Sequence, residues 1–252
     1  MIPIRRPVQA PAILLTDGSD AVERLRQAVE QRREKLSFNS EIYGHPDVKL
    51  ALRQMQHEKC CFCEALIGKE GDVEHFRPKA AFRQLTADPL EKPGYWWLAY
   101  TWSNLLLCCT HCNQREKKNL FPLENPTERV RLPEDPLATE RPLFLNPAEE
   151  TDLGAHLSFD RYDLRYLSER GRVTVETLGL NDENRGMYLR RKKRWEQIQE
   201  CQQAVARREE LENTPNGRAV VALFEKWLQD WQQPTAEFSA MASCALRDVM
   251  TS

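Results

Sequence analysis

The 252-residue sequence lacks any apolar run long enough to cross a bilayer. The longest run near its start, Ala12 to Leu15, follows Pro11 and is too short for the apolar core of an export signal. No membrane span and no secretory segment are therefore expected, which places the chain in the reducing cytoplasm and argues against disulfides. A surplus of charge of one sign is missing too. The formal net charge of −2 supplies no global attraction for nucleic acid, so any polyanion has to be held by local patches. Internal repeats and low-complexity tracts are absent, which excludes solenoids and disordered arrays. What remains, 41% hydrophobic and 29% charged residues, suits an ordinary soluble chain with one sizeable core or two small ones.

Cysteine is what the sequence does have, in a telling pattern. Cys60-x-x-Cys63 and Cys109-x-x-Cys112 are two equally spaced pairs separated by 45 residues. Each pair lets two thiolates converge from one tight turn, and together they supply the four ligands of a closed tetrahedral zinc site. Cys61 and Cys108 adjoin the pairs, but only Cys60 and Cys109 stand two residues before a downstream cysteine. His57 and His111 are spare candidates that four cysteines make unnecessary. Cys201 and Cys244 are read as small packed hydrophobes.

Along the chain, Asp20 and Glu23 form a capping box for a first helix, and a second is expected to begin at Pro46. Ala65 to Ile67, the turn Gly68-Lys69-Glu70-Gly71-Asp72 and Val73 to Phe76 read as a hairpin. Arg77 to Ser103 is expected as a long loop with an aromatic-rich helix, Leu105 to Leu107 as a return strand, and a helix starting near His111. Six prolines between Leu120 and Pro147 exclude a long helix and suggest an extended wrapping segment or linker. Thereafter the pattern predicts a strand region from His156 to Val175 turning at Gly171. A long charged helix capped by Asn181 or Asp182 should follow to about Glu212, then a turn at Pro215-Asn216-Gly217 and helices over Ala219–Trp231 and Ala236–Met250.

The enclosed segment carries chemistry. Hydrolysis of a phosphodiester needs a base to activate water and a divalent cation to neutralise charge on the phosphate and leaving oxygen. His75 suits the first task, since imidazole titrates near neutrality, and Glu74 the second, since hard oxygen ligands favour magnesium or manganese. Successive strand residues point to opposite faces, so the two reach one site only where the strand ends or bends. Arg77-Pro78 makes that break.

The ordered set of Cys-x-x-Cys, Glu74-His-Phe-Arg-Pro-Lys79, Trp102-Ser-Asn104-Leu, Cys109-x-x-Cys112-Asn113, Lys117 and Phe121-Pro122 resembles the HNH endonuclease superfamily. Within it the chain is most similar to the PtuB-like HNH nuclease subunit of Septu-type anti-phage systems, also found in some retron operons; Ile4-Arg5-Arg6, Leu145-Asn146-Pro147 and Leu178-Gly179-Leu180-Asn181 share in that likeness. The resemblance implies an α+β fold in which a ββα-metal core with a structural four-cysteine zinc site is embedded in a mainly helical chain. It divides into a helical lead-in (1–59), the nuclease core with its zinc knuckles (60–122), and a proline-rich linker with a helical, partner-docking region (123–252). The resemblance makes His75 the general base, Glu74 and Asn113 the holders of a catalytic Mg2+ or Mn2+, and Asn104 the brace of the long loop. It also implies a hetero-oligomer with an SMC- or ABC-like ATPase. The family more often has Asp where Glu74 stands, and the paired glycines of its loop are absent here, which leaves the metal ligation open.

Arg77, Lys79 and Lys117 are candidates to grip phosphate beside the scissile bond, or else solvated loop charges. The run Arg190 to Arg194 can bind a backbone or form a solvated helix face. Tyr95, Trp96, Trp97 and Trp102 can stack bases or pack over the strands. The substrate expected is DNA, with transfer RNA as the alternative in a retron setting. A different class of function, a zinc-stabilised nucleic-acid or protein adaptor without turnover, shares the cysteines and differs only at Glu74, His75 and Asn113.

Overall fold

The computed structural model describes residues 1–68 and 70–250, with side chains through residue 247; Lys69, in the expected hairpin turn, lies outside the described residues. Four helices come first: α1 (Ala12–Leu15), α2 (Asp17–Glu30), α3 (Ser40–Tyr43) and α4 (Pro46–Met55). Helix α4 begins where expected because Pro46 stands at its first turn, with the His45 ring accepting from Asp47 N–H. It packs its buried Val48, Leu52 and Met55 inward. Helix α2 begins at Asp17, so Asp20 lies inside it rather than capping it.

Two short antiparallel strands, β1 (Asp72–His75) and β2 (Leu105–Cys108), form the central pair, with Glu74 opposite Leu106 and His75 opposite Leu105. Every residue of β2 is buried, which its uninterrupted apolar run requires. Its outer edge is satisfied without a third strand: the Gln56 side chain accepts from Leu107 N and donates to Leu107 O, each at 2.8 Å, and Cys61 N–H donates to the same carbonyl. The return strand thus forms as expected. The local hairpin does not. Leu66 bridges Lys59 instead, closing the first cysteine turn, and the partner of β1 comes from across the loop 76–104.

That loop holds 3-10 turns at Trp96–Leu98 and Trp102–Asn104 rather than an aromatic helix. Tyr95, Trp96 and Trp102 are buried, so packing takes precedence over stacking at those positions. After β2 the chain turns into a π-type helix, His111–Lys117, marked by the Lys118 N–H donating to Asn113 O. The proline-rich stretch folds back on itself, Leu123 bridging Pro142, and inserts Phe144 and Leu145 into the core.

A second hairpin, β3 (Leu157–Asp160) and β4 (Asp163–Tyr166), precedes α5 (Glu169–Thr177), α6 (Gly186–Ala206), α7 (Arg208–Leu211), α8 (Pro215–Gln232) and α9 (Ser239–Met250). Gly171 does not turn this hairpin. It lies inside α5, where a Cβ would stand 2.2 Å from the His156 carbonyl, so glycine permits close approach. Pro215, likewise, opens α8 instead of ending a helix in a turn. The fold is thus mixed, mostly helical with two small sheets. Among the described residues no helix is long and apolar enough to cross a membrane.

Candidate metal centre and cavity

The Sγ atoms of Cys60, Cys63, Cys109 and Cys112 all lie within 4.8 Å of one another. Cys63 and Cys109 are 3.9 Å apart. Sulfurs around a tetrahedral zinc with Zn–S near 2.3 Å sit about 3.8 Å apart, so the donor set and spacing suit a closed zinc site. Cys61 and Cys108 form a second group of three with Cys60, sharing that sulfur with the first. Arg185 was not singled out in the sequence, yet its Nη2 donates to Cys112 Sγ at 3.1 Å, tying the start of α6 to the knuckle. A lone arginine far from the cysteines gives no local signal of that contact.

The cysteine cluster joins the first turn, the end of β2 and the π-type helix, and β1, the π-type helix and the α3–α4 region line a cavity of about 580 Å3. Glu74, His75, Lys79 and Asn113 all line it, together with Asp72 and Tyr43. His75 is buried, and its Nε2 lies 2.9 Å from Ala99 O. A carbonyl only accepts, so Nε2 carries the proton and Nδ1 keeps the lone pair. Lys79 Nζ lies 3.3 Å from that Nδ1 and 4.5 Å from the centre of the Tyr43 ring, which meets the imidazole edge-on. Burial, then the charge of Lys79, hold the imidazole well below its usual range, so it is neutral at pH 7. Lys79 is itself lowered to about 8, burial outweighing the pull of Glu74.

Glu74 is fully enclosed, its Oε1 2.6 Å from Lys117 Nζ. Lys117 has no exposed surface and also donates to His75 O. Burial pushes the Glu74 carboxyl up, against the opposing pull of Lys117. Despite that ion pair, Oε1 accepts no well-directed hydrogen bond. Asn113 Nδ2 donates to Asp72 Oδ2 at 3.2 Å, and Gln114 Nε2 to the same oxygen at 2.9 Å. These oxygens of Asp72, Glu74 and Asn113 are the hard donors available to a divalent cation. Asp72 was missed, although its place two residues before Glu74 puts both on one face of a strand.

Three of the expected site residues lie elsewhere. Asn104 accepts from Arg77 N–H and donates to Arg77 O and Leu98 O, closing the long loop on itself. Arg77 does not reach the cavity, because its Nε donates to the buried Glu140 at 2.8 Å, within a network holding Tyr95 and Arg129. Lys117, fully buried, is a partner of Glu74 rather than an exposed phosphate grip. The basic run on α6 is similarly divided: Arg190 pairs with Glu237, and Arg191 is buried against Leu180 O and Asn181.

Septu protein PtuB of Bacillus mycoides (strain KBAB4) is 37% identical to this chain over 190 residues, 72% of the chain and 63% of that protein. The chain is a homologue of PtuB. The PtuB of Bacillus thuringiensis is 25% identical over 193 residues, 75% of this chain and 58% of that protein. The chain therefore spans less than two thirds of the length of these PtuB relatives. Septu protein PtuA of B. mycoides (strain KBAB4) is 28% identical over 133 residues, 52% of this chain but 18% of PtuA. No family model matches the chain, and no solved structure does.

Proposed function

We propose that the chain is a metal-dependent HNH endonuclease that hydrolyses phosphodiester bonds of DNA as the nuclease effector of an ATPase-coupled anti-phage defence system. The observation that carries this reading is the fixed tautomer of His75, whose proton is held on Nε2 by Ala99 while Nδ1 faces the cavity shared with Glu74 and Asn113. A buried imidazole kept neutral by its surroundings suits a general base at neutral pH. Two strands followed by a helical turn, with four cysteines gathered beside them, support the ββα reading of the motif.

Glu74 and Asn113, with Asp72 beside them, would hold Mg2+ or Mn2+, since carboxylate and amide oxygens gathered at one cavity are the hard donors such an ion takes. When bound there, such a cation would supply charge neutralisation at the scissile phosphate and leaving oxygen. His75 Nδ1 takes a proton from water. The resulting hydroxide oxygen forms a bond to phosphorus as the bond to the leaving oxygen breaks, and that oxygen is protonated from solvent. Lys79 turns from Nδ1 to the incoming phosphate, freeing the lone pair. Lys117 neutralises Glu74 from behind and supports the His75 backbone. The zinc is structural, since four thiolates leave no open position for water.

The names of the relatives support a place in a Septu system, and an SMC- or ABC-like ATPase is the proposed partner. Its docking surface is assigned to α8, where Val220, Leu223 and Trp227 are 40%, 43% and 39% exposed at helical spacing. Cleavage of DNA with Mg2+ or Mn2+ by the unsubstituted protein, compared with His75→Ala at equal zinc content, tests the reading. Equal cleavage removes His75 from the catalytic role, and no cleavage by either protein in the presence of the ATPase leaves the adaptor function instead.

A further inference from the structure

Three neighbouring cavities share lining residues. The central one, holding His75, shares Ala80 with a cavity of about 510 Å3 and shares Lys118 and Asn119 with another of about 690 Å3. The first neighbour has Leu36, Phe38 and Pro93 as an apolar floor, with Arg33, Lys35 and Lys92 among its lining side chains and Glu34 as its single carboxylate. The second is lined by Arg83, Arg115 and Lys118, and its carboxylates are occupied: Glu116 by His111 and Glu176 by Arg172.

The cations of this path are available. Among the described residues the Arg33 side chain bonds only to the amide of Gln31, and Lys35, Lys92, Arg115 and Lys118 form no ion pair. Elsewhere some surface arginines are matched by nearby carboxylates, as Arg172 is by Glu169 and Arg208 by Glu212. Lys118 sits at the junction with its backbone in the left-handed region, φ 49°, at the end of the π-type helix. The chain as a whole has a net charge of −2, so this concentration of unpaired cations is local.

We propose that the three cavities form one track for a DNA strand, with phosphates on Arg33, Lys35 and Lys92 on one side of the scissile bond and on Lys118 and Arg115 on the other. The apolar floor at Phe38 takes the base of an unpaired nucleotide, because an aromatic face beside cations accepts a base irrespective of its identity. This rests on the nuclease reading for the position of the scissile bond, not for the binding itself.

Binding of fluorescein-labelled DNA, single-stranded and duplex, to the full chain is measured as a function of salt, in a His75→Ala background so that nothing is cut. The combined substitution Arg33→Glu, Lys35→Glu, Lys92→Glu, at three exposed positions, is expected to weaken binding about tenfold or more and to lower the salt slope by about 2, since each phosphate contact contributes ~0.7 on a single strand. Lys193→Glu on α6 leaves both unchanged, and Phe38→Ala weakens the single strand more than the duplex. An unchanged slope and affinity in the triple variant, or no salt-dependent binding by the starting protein, overturns the track. The two readings fail separately. Cleavage lost in His75→Ala but untouched by the triple substitution sinks the track alone, whereas salt-dependent binding along it without any cleavage by a chain that retains His75 sinks the nuclease alone.

Discussion

His75 depends on three neighbours that come from different parts of the chain. Ala99 selects its tautomer, Tyr43 supports its ring edge, and Lys79 bonds its free nitrogen. Replacing His75 by Ala is expected to reduce cleavage about 10^2- to 10^4-fold, the usual contribution of a general base, with zinc content and circular dichroism unchanged. Lys117 presents a different case. It neutralises an enclosed carboxylate, so Lys117→Met leaves Glu74 buried and unpaired and should destabilise the fold by about 3–5 kcal/mol, measurable by urea unfolding. Lys79 gives a pH signature. Its folded value of about 8 lies below the ordinary lysine value, so between pH 8 and roughly 10.4 the unfolded chain binds more protons than the native one. Stability relative to Lys79→Met should therefore rise with pH across that window and be flat below it. A difference that falls as pH rises would show that the ammonium is stabilised in the fold rather than strained by burial.

At the scale of elements, the cysteine cluster ties the turn after α4 to the end of β2 and the π-type helix, while α4 and Gln56 hold the other side of β2. Chelation of the metal, or Cys63→Ser, should loosen β1 and the 111–117 helix together. Loss of near-ultraviolet dichroism from the buried tryptophans and of one zinc per chain would report it. This part of the molecule was the most legible from residues alone, because equal Cys-x-x-Cys spacing and an unbroken apolar run are local signals with few alternative meanings. The pairing of β1 was not legible. A glycine-rich turn beside Val73 to Phe76 argued for a nearby partner, but the buried run Leu105 to Leu107 offers a far larger apolar face, and the loop that joins the two is closed by Asn104, whose bonds are all to backbone. Arg77 and Lys117 were misplaced for a related reason. Their pairing with Glu140 and Glu74 depends on tertiary position, and nothing in a basic residue's sequence context shows whether a carboxylate will be buried beside it.

Over the whole molecule, the core is continuous from the N-terminal strap, where Ile4 N–H donates to Pro147 O, to Phe238 and Met241 of the C-terminal region. Lys59, next to the first knuckle, reaches Glu64, Ser239 and Ala236 O, so the cysteine turn is anchored on α9. Helix α8 remains partly uncovered on the proposed docking face. Leu223→Glu combined with Trp227→Glu is expected to leave the isolated chain folded and its basal cleavage intact while abolishing co-purification with the ATPase; retained co-purification would move the docking surface elsewhere. The most direct test of the central claim is a cleavage assay of the unsubstituted protein and His75→Ala, each with the proposed ATPase partner, Mg2+ or Mn2+, and a measured zinc content. One zinc per chain in both proteins, with cleavage confined to the one that retains His75, is the expected result. Equal cleavage by the two, with zinc in place, would contradict it.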